Sequence, residues 1–201
     1  MTVTVLGISG SPHRHGNTET LLDSFLEGAR AAGASVEKIV LKDLTYAPCR
    51  GCNACHKTGE CVVKDDAITL FDKILASDCI AVASPIYTMG ITAELKGMID
   101  RGQYLWARKF ILKTLYFPDD HIRRHKGLFI STAGQNWDHV FDGAFPAITA
   151  IFNGTGFEYY DNIIANNMDE FKGIKNHPNA LKDAFEKGQK VVGVIEQLKM
   201  D

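Results

Sequence analysis

The chain has 201 residues, 45% of them hydrophobic and 23% charged, and a formal net charge of -2. Those values suit a globular protein with a sizeable core and exclude an electrostatic case for nucleic acid or an anionic membrane. No uncharged run is longer than residues 79–93, which is interrupted by Pro85 and Gly90 and is too short to span a bilayer. The opening Met1-Thr-Val-Thr-Val-Leu6 lacks a basic leader segment, so the expected location is the reducing cytoplasm. One domain over 1–201 is expected, with no internal repeat or low-complexity linker.

Thr2 to Ile8 is a β-branched, apolar run that predicts a strand buried on both faces. Leu21, Leu22, Phe25, Leu26 and Ala29 then recur at helical spacing, and Gly33 marks the stop. Ser35 to Leu41 reads as a second strand, completing a right-handed βαβ unit. The connecting loop, Ser9-Gly-Ser-Pro-His-Arg-His-Gly-Asn-Thr18, is rich in small polar residues and ends where the helix begins. Free backbone N–H groups, the helix dipole and hydroxyl donors there describe a phosphate cradle. The competing reading is an ordinary capping loop, for which Asn17 or Thr18 suffices. The absence of Gly-Lys-Ser/Thr argues against nucleoside triphosphate hydrolysis. His13 and His15 are expected to be solvated.

Four of the five cysteines fall within thirteen residues, Cys49, Cys52, Cys55 and Cys61, spaced C-x2-C-x2-C-x5-C. Disulfides at such short range would close tiny loops and gain little entropy. The spacing suits thiolates wrapped around one iron–sulfur centre, with Gly51 and Gly59 helping the chain curl inward. Metal-free reactive thiols and zinc are the alternatives, although zinc sites usually come as two separated C-x2-C pairs. Cys79 lies in an apolar run and reads as a buried small hydrophobe.

Asp65-Asp66 starts the next helix, whose apolar face is Ile68, Phe71, Ile74 and Leu75. Asp78 to Ser84 is a third strand, emptying into Pro85-Ile-Tyr-Thr-Met-Gly-Ile-Thr92 and a helix carrying Leu95, Met98, Ile99 and Leu105. That loop lies at the carboxyl end of a strand beside the reversal point of the sheet, where open α/β sheets bind ligands. Local packing of Tyr87 and Met89 is the plainer alternative. Residues 105–126 carry more apolar surface than a connection needs and read as an insertion that covers the ligand pocket or packs on a second subunit. The basic run His121 to Lys126 reads as a solvated face. Gly127 to Thr132 is a fourth strand, Val140 to Phe152 a helix bent at Pro146, Phe157 to Ala165 a fifth strand and Pro178 to Leu198 the last helix. The alternation predicts a three-layer α/β sandwich with strand order 2-1-3-4-5.

Gly7-Ile-Ser-Gly-Ser-Pro12 with Gly16-Asn-Thr18, and Ser84-Pro-Ile-Tyr-Thr-Met-Gly90 followed by Leu95-Lys96 and Asp100-Arg101, resemble the flavodoxin-like NAD(P)H-dependent FMN reductase family. The cysteine run after the second strand, residues 48–63 with its flanks, resembles the iron–sulfur flavoproteins within that group. The resemblance implies that Ser9, Ser11, Asn17 and Thr18 hold the FMN phosphate, with Pro12 and Arg14 beside them. It implies that Pro85, Ile86, Tyr87, Thr88, Met89 and Gly90 line the flavin ring, with Ser131, Ala133 and Gly134 opposite. It also implies a [4Fe–4S] cluster on Cys49, Cys52, Cys55 and Cys61, with His56 a neighbour and no ligand. No side chain is then expected to act as nucleophile or general base. Electrons would pass between cluster, FMN and an outside partner: NAD(P)H, a ferredoxin or a small-molecule acceptor such as a quinone. A homodimer or homotetramer is expected, in which the insertion and cysteine loop of one chain approach the FMN of another. The alternatives are a cluster-free NAD(P)H-dependent FMN or quinone reductase, and a redox-responsive binding protein built on thiols or zinc.

Overall fold

The β-branched start of the chain forms an inner strand of a parallel sheet in the computed structural model, which describes residues 2–200. Strands β1 (Thr4–Ser9), β2 (Ser35–Val40), β3 (Cys79–Pro85), β4 (Lys126–Thr132) and β5 (Glu158–Ala165) pair in the order β2-β1-β3-β4-β5. Every pairing is parallel, with Leu6 opposite Glu37 on one side and Ile80 on the other. This is the flavodoxin-like order, with the reversal of direction between β1 and β3.

Alternation along the strands divides the core in two. Val5, Cys79, Ala81, Ala83, Leu128 and Ile130 face one layer, formed by α1 (Asn17–Ala31) and the C-terminal helix. Leu6, Ile8, Ile80, Val82 and Phe129 face α2 (Asp66–Leu75), α3 (Ala93–Arg101) and α4 (Phe145–Thr155). The C-terminal helix, α5 (Ala180–Met200), crosses α1 so closely that only glycine fits at the contact. A Cβ on Gly28 would lie 2.0 Å from the Phe185 carbonyl oxygen, and one on Gly188 would lie 2.1 Å from that of Phe25. Cys79 is fully buried, and that burial pushes its thiol well above the usual range.

The structure departs from the sequence reading in three places. The helix expected to run through Leu105 stops at Gly102, which packs on Phe71; a short helix, Gln103–Trp106, and a π-helical turn, Ala107–Ile111, follow. Pro146 does not bend a helix but sits in the first turn of α4, where its missing N–H has no helical partner to lose. Residues 138–144 before it form turns. Lys126 belongs to β4 and is buried, its ammonium 2.5 Å from Glu158 and 5.3 Å from the Tyr160 ring centroid. Among the described residues, no helix is long and apolar enough to cross a membrane.

Candidate functional site

Loops at the carboxyl ends of β1, β3, β4 and β5 enclose a cleft of about 280 Å³. Its floor is the start of α1. Gly16 precedes that helix with no side-chain cap, so the N–H groups of its first turn remain available to an anion. Ser11 shapes the approach: its hydroxyl donates to the His13 carbonyl and accepts from the His13 N–H, both at 3.2 Å. Thr18 and Thr132 share a hydroxyl–hydroxyl bond of 2.6 Å, joining helix to sheet. Asn17 accepts the Ile174 N–H at 3.0 Å, which ties the loop after β5 to the same helix.

Among the residues singled out in sequence, Ser11, Asn17, Thr18, Pro85, Ile86, Tyr87, Ala133 and Gly134 line this cleft. Ser9 and Ser131 lie behind it, fully buried. The Ser131 hydroxyl donates to the Ser84 carbonyl at 2.7 Å, whereas the Ser9 hydroxyl has no partner among the described residues. A buried, unpaired hydroxyl beside an uncapped helix start is what a phosphate cradle presents, and the residues fit FMN in that sense. Pro12 and Arg14 lie outside the lining, and Arg14 pairs with Asp43 and, at 3.5 Å, with Glu19. Glu19 is itself buried. Burial pushes its carboxyl up, but the His15 N–H, Lys38 and Arg14 outweigh that and hold it below the usual range.

Thr88, Met89 and Gly90 do not line the cleft but build a hairpin at its rim. Tyr87 and Gly90 exchange backbone hydrogen bonds of 2.9 and 3.0 Å, and the central Thr88 and Met89 have φ of 48° and 66°. Two consecutive non-glycine residues in the left-handed region are strained, by about 1 kcal/mol or more each. The sequence reading missed His13, Gly16, Thr132, Met168 and Asp169 as lining residues. The last two arrive on a short helix after β5, Met168–Phe171, where the Asp169 carboxylate abuts Gly134.

The cysteine loop leaves β2 and runs along α3. The Tyr46 hydroxyl donates to the Glu94 carbonyl at 2.6 Å, and Pro48 packs on Gly97. Left-handed conformations at Gly51, Asn53 and Gly59 (φ 66°, 56° and 74°) fold the chain back on itself around a single helical turn, Cys55–Thr58. Cys49, Cys52, Cys55 and Cys61 all line one cavity, walled by Val62, Val63, Arg101 and Tyr104. Burial pushes the Cys55 thiol up, and the neighbouring Cys49, Cys61 and Cys52 push it further. The exposed Cys52 is held below the usual thiol range by the Ala54 N–H and the Arg50 guanidinium. Among the described residues, no three His, Cys, Asp or Glu side chains are gathered tightly enough to hold a metal ion. The fit to a thiolate-bound centre is one of donor chemistry: four free thiols on the wall of one cavity.

The segment after α3 does not cover the cleft: none of residues 105–126 lines it. Its first part lies against the cysteine loop, with the Trp106 and His56 rings 6.0 Å apart and Arg108 and Leu112 beside Gly59, while Phe117 packs on Gly156.

Three comparisons place this geometry among known proteins. An iron-sulfur flavoprotein of Methanosarcina thermophila is 36% identical over 109 residues, 54% of this chain and 57% of the relative. A second, from Methanocaldococcus jannaschii, is 40% identical over 101 residues, 50% of this chain and 52% of the relative. The chain thus spans about half the length of the curated relatives it matches. A flavone reductase structure superposes with a TM-score of 0.69 at 21% identity, covering 98% of this chain and 64% of that one, which shows a shared fold. The profile of the NADPH-dependent FMN reductase family matches residues 3–138, from β1 through the loop after β4, so the chain belongs to that family.

Proposed function

We propose that this chain is an FMN-dependent oxidoreductase that also carries a [4Fe–4S] cluster and passes electrons between the cluster, FMN and an outside donor or acceptor. The observation that carries the reading is that both sites are fastened to one helix. At its start, the Thr92 hydroxyl donates to the Gly10 carbonyl at 2.7 Å, and the Thr92 N–H donates to Ser84 Oγ at 3.0 Å, beside the cleft. At its end, Arg101 reaches the cysteine loop. The nine residues of α3 measure about 14 Å.

When bound, FMN supplies one- and two-electron chemistry and the cluster one-electron chemistry. The residues bind, orient and shield. Ser9, Ser11, Asn17, Thr18 and the first N–H groups of α1 would hold the phosphate. Pro85, Ile86 and Tyr87 would wall the ring on one side, with Ala133 and Gly134 opposite and the 88–90 hairpin at the rim. Cys49, Cys52, Cys55 and Cys61 would hold the cluster. The donor would be NAD(P)H or a reduced ferredoxin-like protein, and the acceptor a small molecule or redox protein. Similarity to proteins named iron-sulfur flavoproteins supports the cluster, and the family supports FMN.

Association of copies accords with the exposed apolar residues of the segment after α3: Trp106, Phe110, Ile111 and Tyr116 are 42%, 55%, 42% and 77% exposed. We place the cysteine loop of one copy near the flavin cleft of another, in a dimer or tetramer.

Anaerobic purification followed by iron, acid-labile sulfide and visible spectroscopy tests the reading. The expected result is FMN with iron and sulfide in near-equal amounts, and a broad absorbance that bleaches with dithionite. FMN without iron selects a cluster-free reductase. Neither FMN nor iron, with partner binding that changes on thiol oxidation, selects a redox-responsive binding protein. Light scattering on the same preparation checks association; a fully active monomer removes it.

Ser9→Ala separates cradle from scaffold. Deleting an unpaired buried hydroxyl should raise flavin-free stability by about 1 kcal/mol, while loss of a donor to a charged phosphate should weaken FMN about tenfold. Urea melts and flavin-fluorescence titrations read the two effects. Unchanged FMN affinity would remove Ser9 from the cradle.

A further inference from the structure

We infer that Arg101 is a positioning residue for the cysteine centre: its guanidinium staples the neck of the cysteine loop to α3 and donates an N–H to the sulfur of Cys61. The inference rests on the reading that the four cysteines hold a cluster, and adds the element that prepares and tunes them.

Arg101 is the last residue of α3, and its side chain is 1% exposed. A buried cation needs partners, and these identify its task. Nη1 donates to the Asp65 carboxylate at 2.6 Å and to the Ala47 carbonyl at 2.8 Å. Nη2 donates to the Val63 carbonyl at 2.9 Å and to Cys61 Sγ at 3.5 Å. Ala47 lies just before Cys49, while Cys61, Val63 and Asp65 close the other end. One planar fork therefore spans both sides of the loop's neck, a geometry that a lysine ammonium cannot reproduce. Asp65 reinforces the closure by accepting the Ala47 N–H at 3.1 Å and capping α2 through the Ala67 N–H. The Nε–H has no partner among the described residues, and Arg101 lines the same cavity as the four thiols.

Two consequences follow from these contacts. The neck is closed by protein–protein bonds alone, so the thiols share one cavity before any metal arrives and the ordering cost of assembly is reduced. A cationic donor on a ligand sulfur favours the more negative, reduced form of the centre and so raises its potential. Because Thr92 fixes the other end of α3 to the flavin cleft, the same helix holds the thiols in register with that cleft.

The test uses the full chain with Arg101→Gln and Arg101→Lys. Hydrogen–deuterium exchange on metal-free protein reads the staple: protection in residues 47–65 should fall about tenfold in R101Q, with β1, β3 and α1 unchanged. After anaerobic reconstitution with iron and sulfide, a dithionite titration followed by electron paramagnetic resonance reads the tuning. The midpoint potential should be lower than wild type in whichever variant assembles the centre. Unchanged loop exchange, an unchanged potential, or loss of protection spread through the whole sheet overturns the inference. If neither variant assembles a centre, exchange loss confined to the loop supports the staple. Wild-type protein that takes up no iron or sulfide sinks the cluster reading instead, and the exchange arm alone then decides whether Arg101 fastens the loop.

Discussion

Gly28→Ala should lower the unfolding free energy by about 2 kcal/mol in urea denaturation. The methyl would have to occupy a point 2.0 Å from the Phe185 carbonyl oxygen, and that atom belongs to a helix backbone which cannot swing aside. Forcing α1 and α5 apart costs about 3 kcal/mol, from which the better helix propensity of alanine returns about 1. Gly193 supplies the control on the same C-terminal helix. It is exposed and a Cβ there meets nothing within 4 Å, so Gly193→Ala should stabilise by about 0.5–1 kcal/mol. Equal effects of the two substitutions would show that the crossing is loose and that the contact between α1 and α5 does not depend on glycine.

Asp65→Asn should destabilise the chain by about 3 kcal/mol at neutral pH, because it leaves the buried Arg101 cation without its counter-charge while preserving a side chain that caps α2. The low end of the range applies since Asp65 keeps 15% exposure. Burial pushes the Asp65 carboxyl up, but the Arg101 hydrogen bond and charge, with the Ala47 and Ala67 N–H groups, hold it below the usual range. A depressed carboxyl stabilises above its unfolded pKa and loses that contribution as pH falls through the folded one. The gap between wild type and Asp65→Asn should therefore stay constant from neutrality down to about pH 4 and close only below it. A gap that closed between pH 5 and 7 would assign the effect to some other group.

The strand order and the cleft were legible because their signals are local. Val5–Ile8 and Cys79–Ala83 are continuous apolar runs; the first empties into small polar residues and the second into Ser84-Pro-Ile-Tyr87, both at the carboxyl edge of the sheet. The cysteine spacing was equally plain. What escaped depends on contacts between distant residues. Asp169 and Met168 follow a polar stretch with no motif, and only the position of β5 beside β4 brings them to the cleft. Arg101 figures only with Asp100 as part of the family resemblance, with no role attached. Its place one turn beyond the buried Gly97 and Met98 was the available sign that it points inward. Gly28 and Gly188 carry no sequence signal of their meeting, since each becomes necessary only where two helices far apart in the chain cross.

The strained turn at Thr88 and Met89 separates two kinds of heritable change. Both side chains stand clear of the sheet, while the backbone beneath them is pinned by Tyr87, Gly90 and the close approach of Gly143 to the Met89 carbonyl. A lineage that altered these two residues would remodel the doorway and leave the masonry of strands and helices intact. Glycine or asparagine at either position would relieve the backbone, so threonine and methionine here place two exposed side chains at the doorway at the expense of backbone comfort.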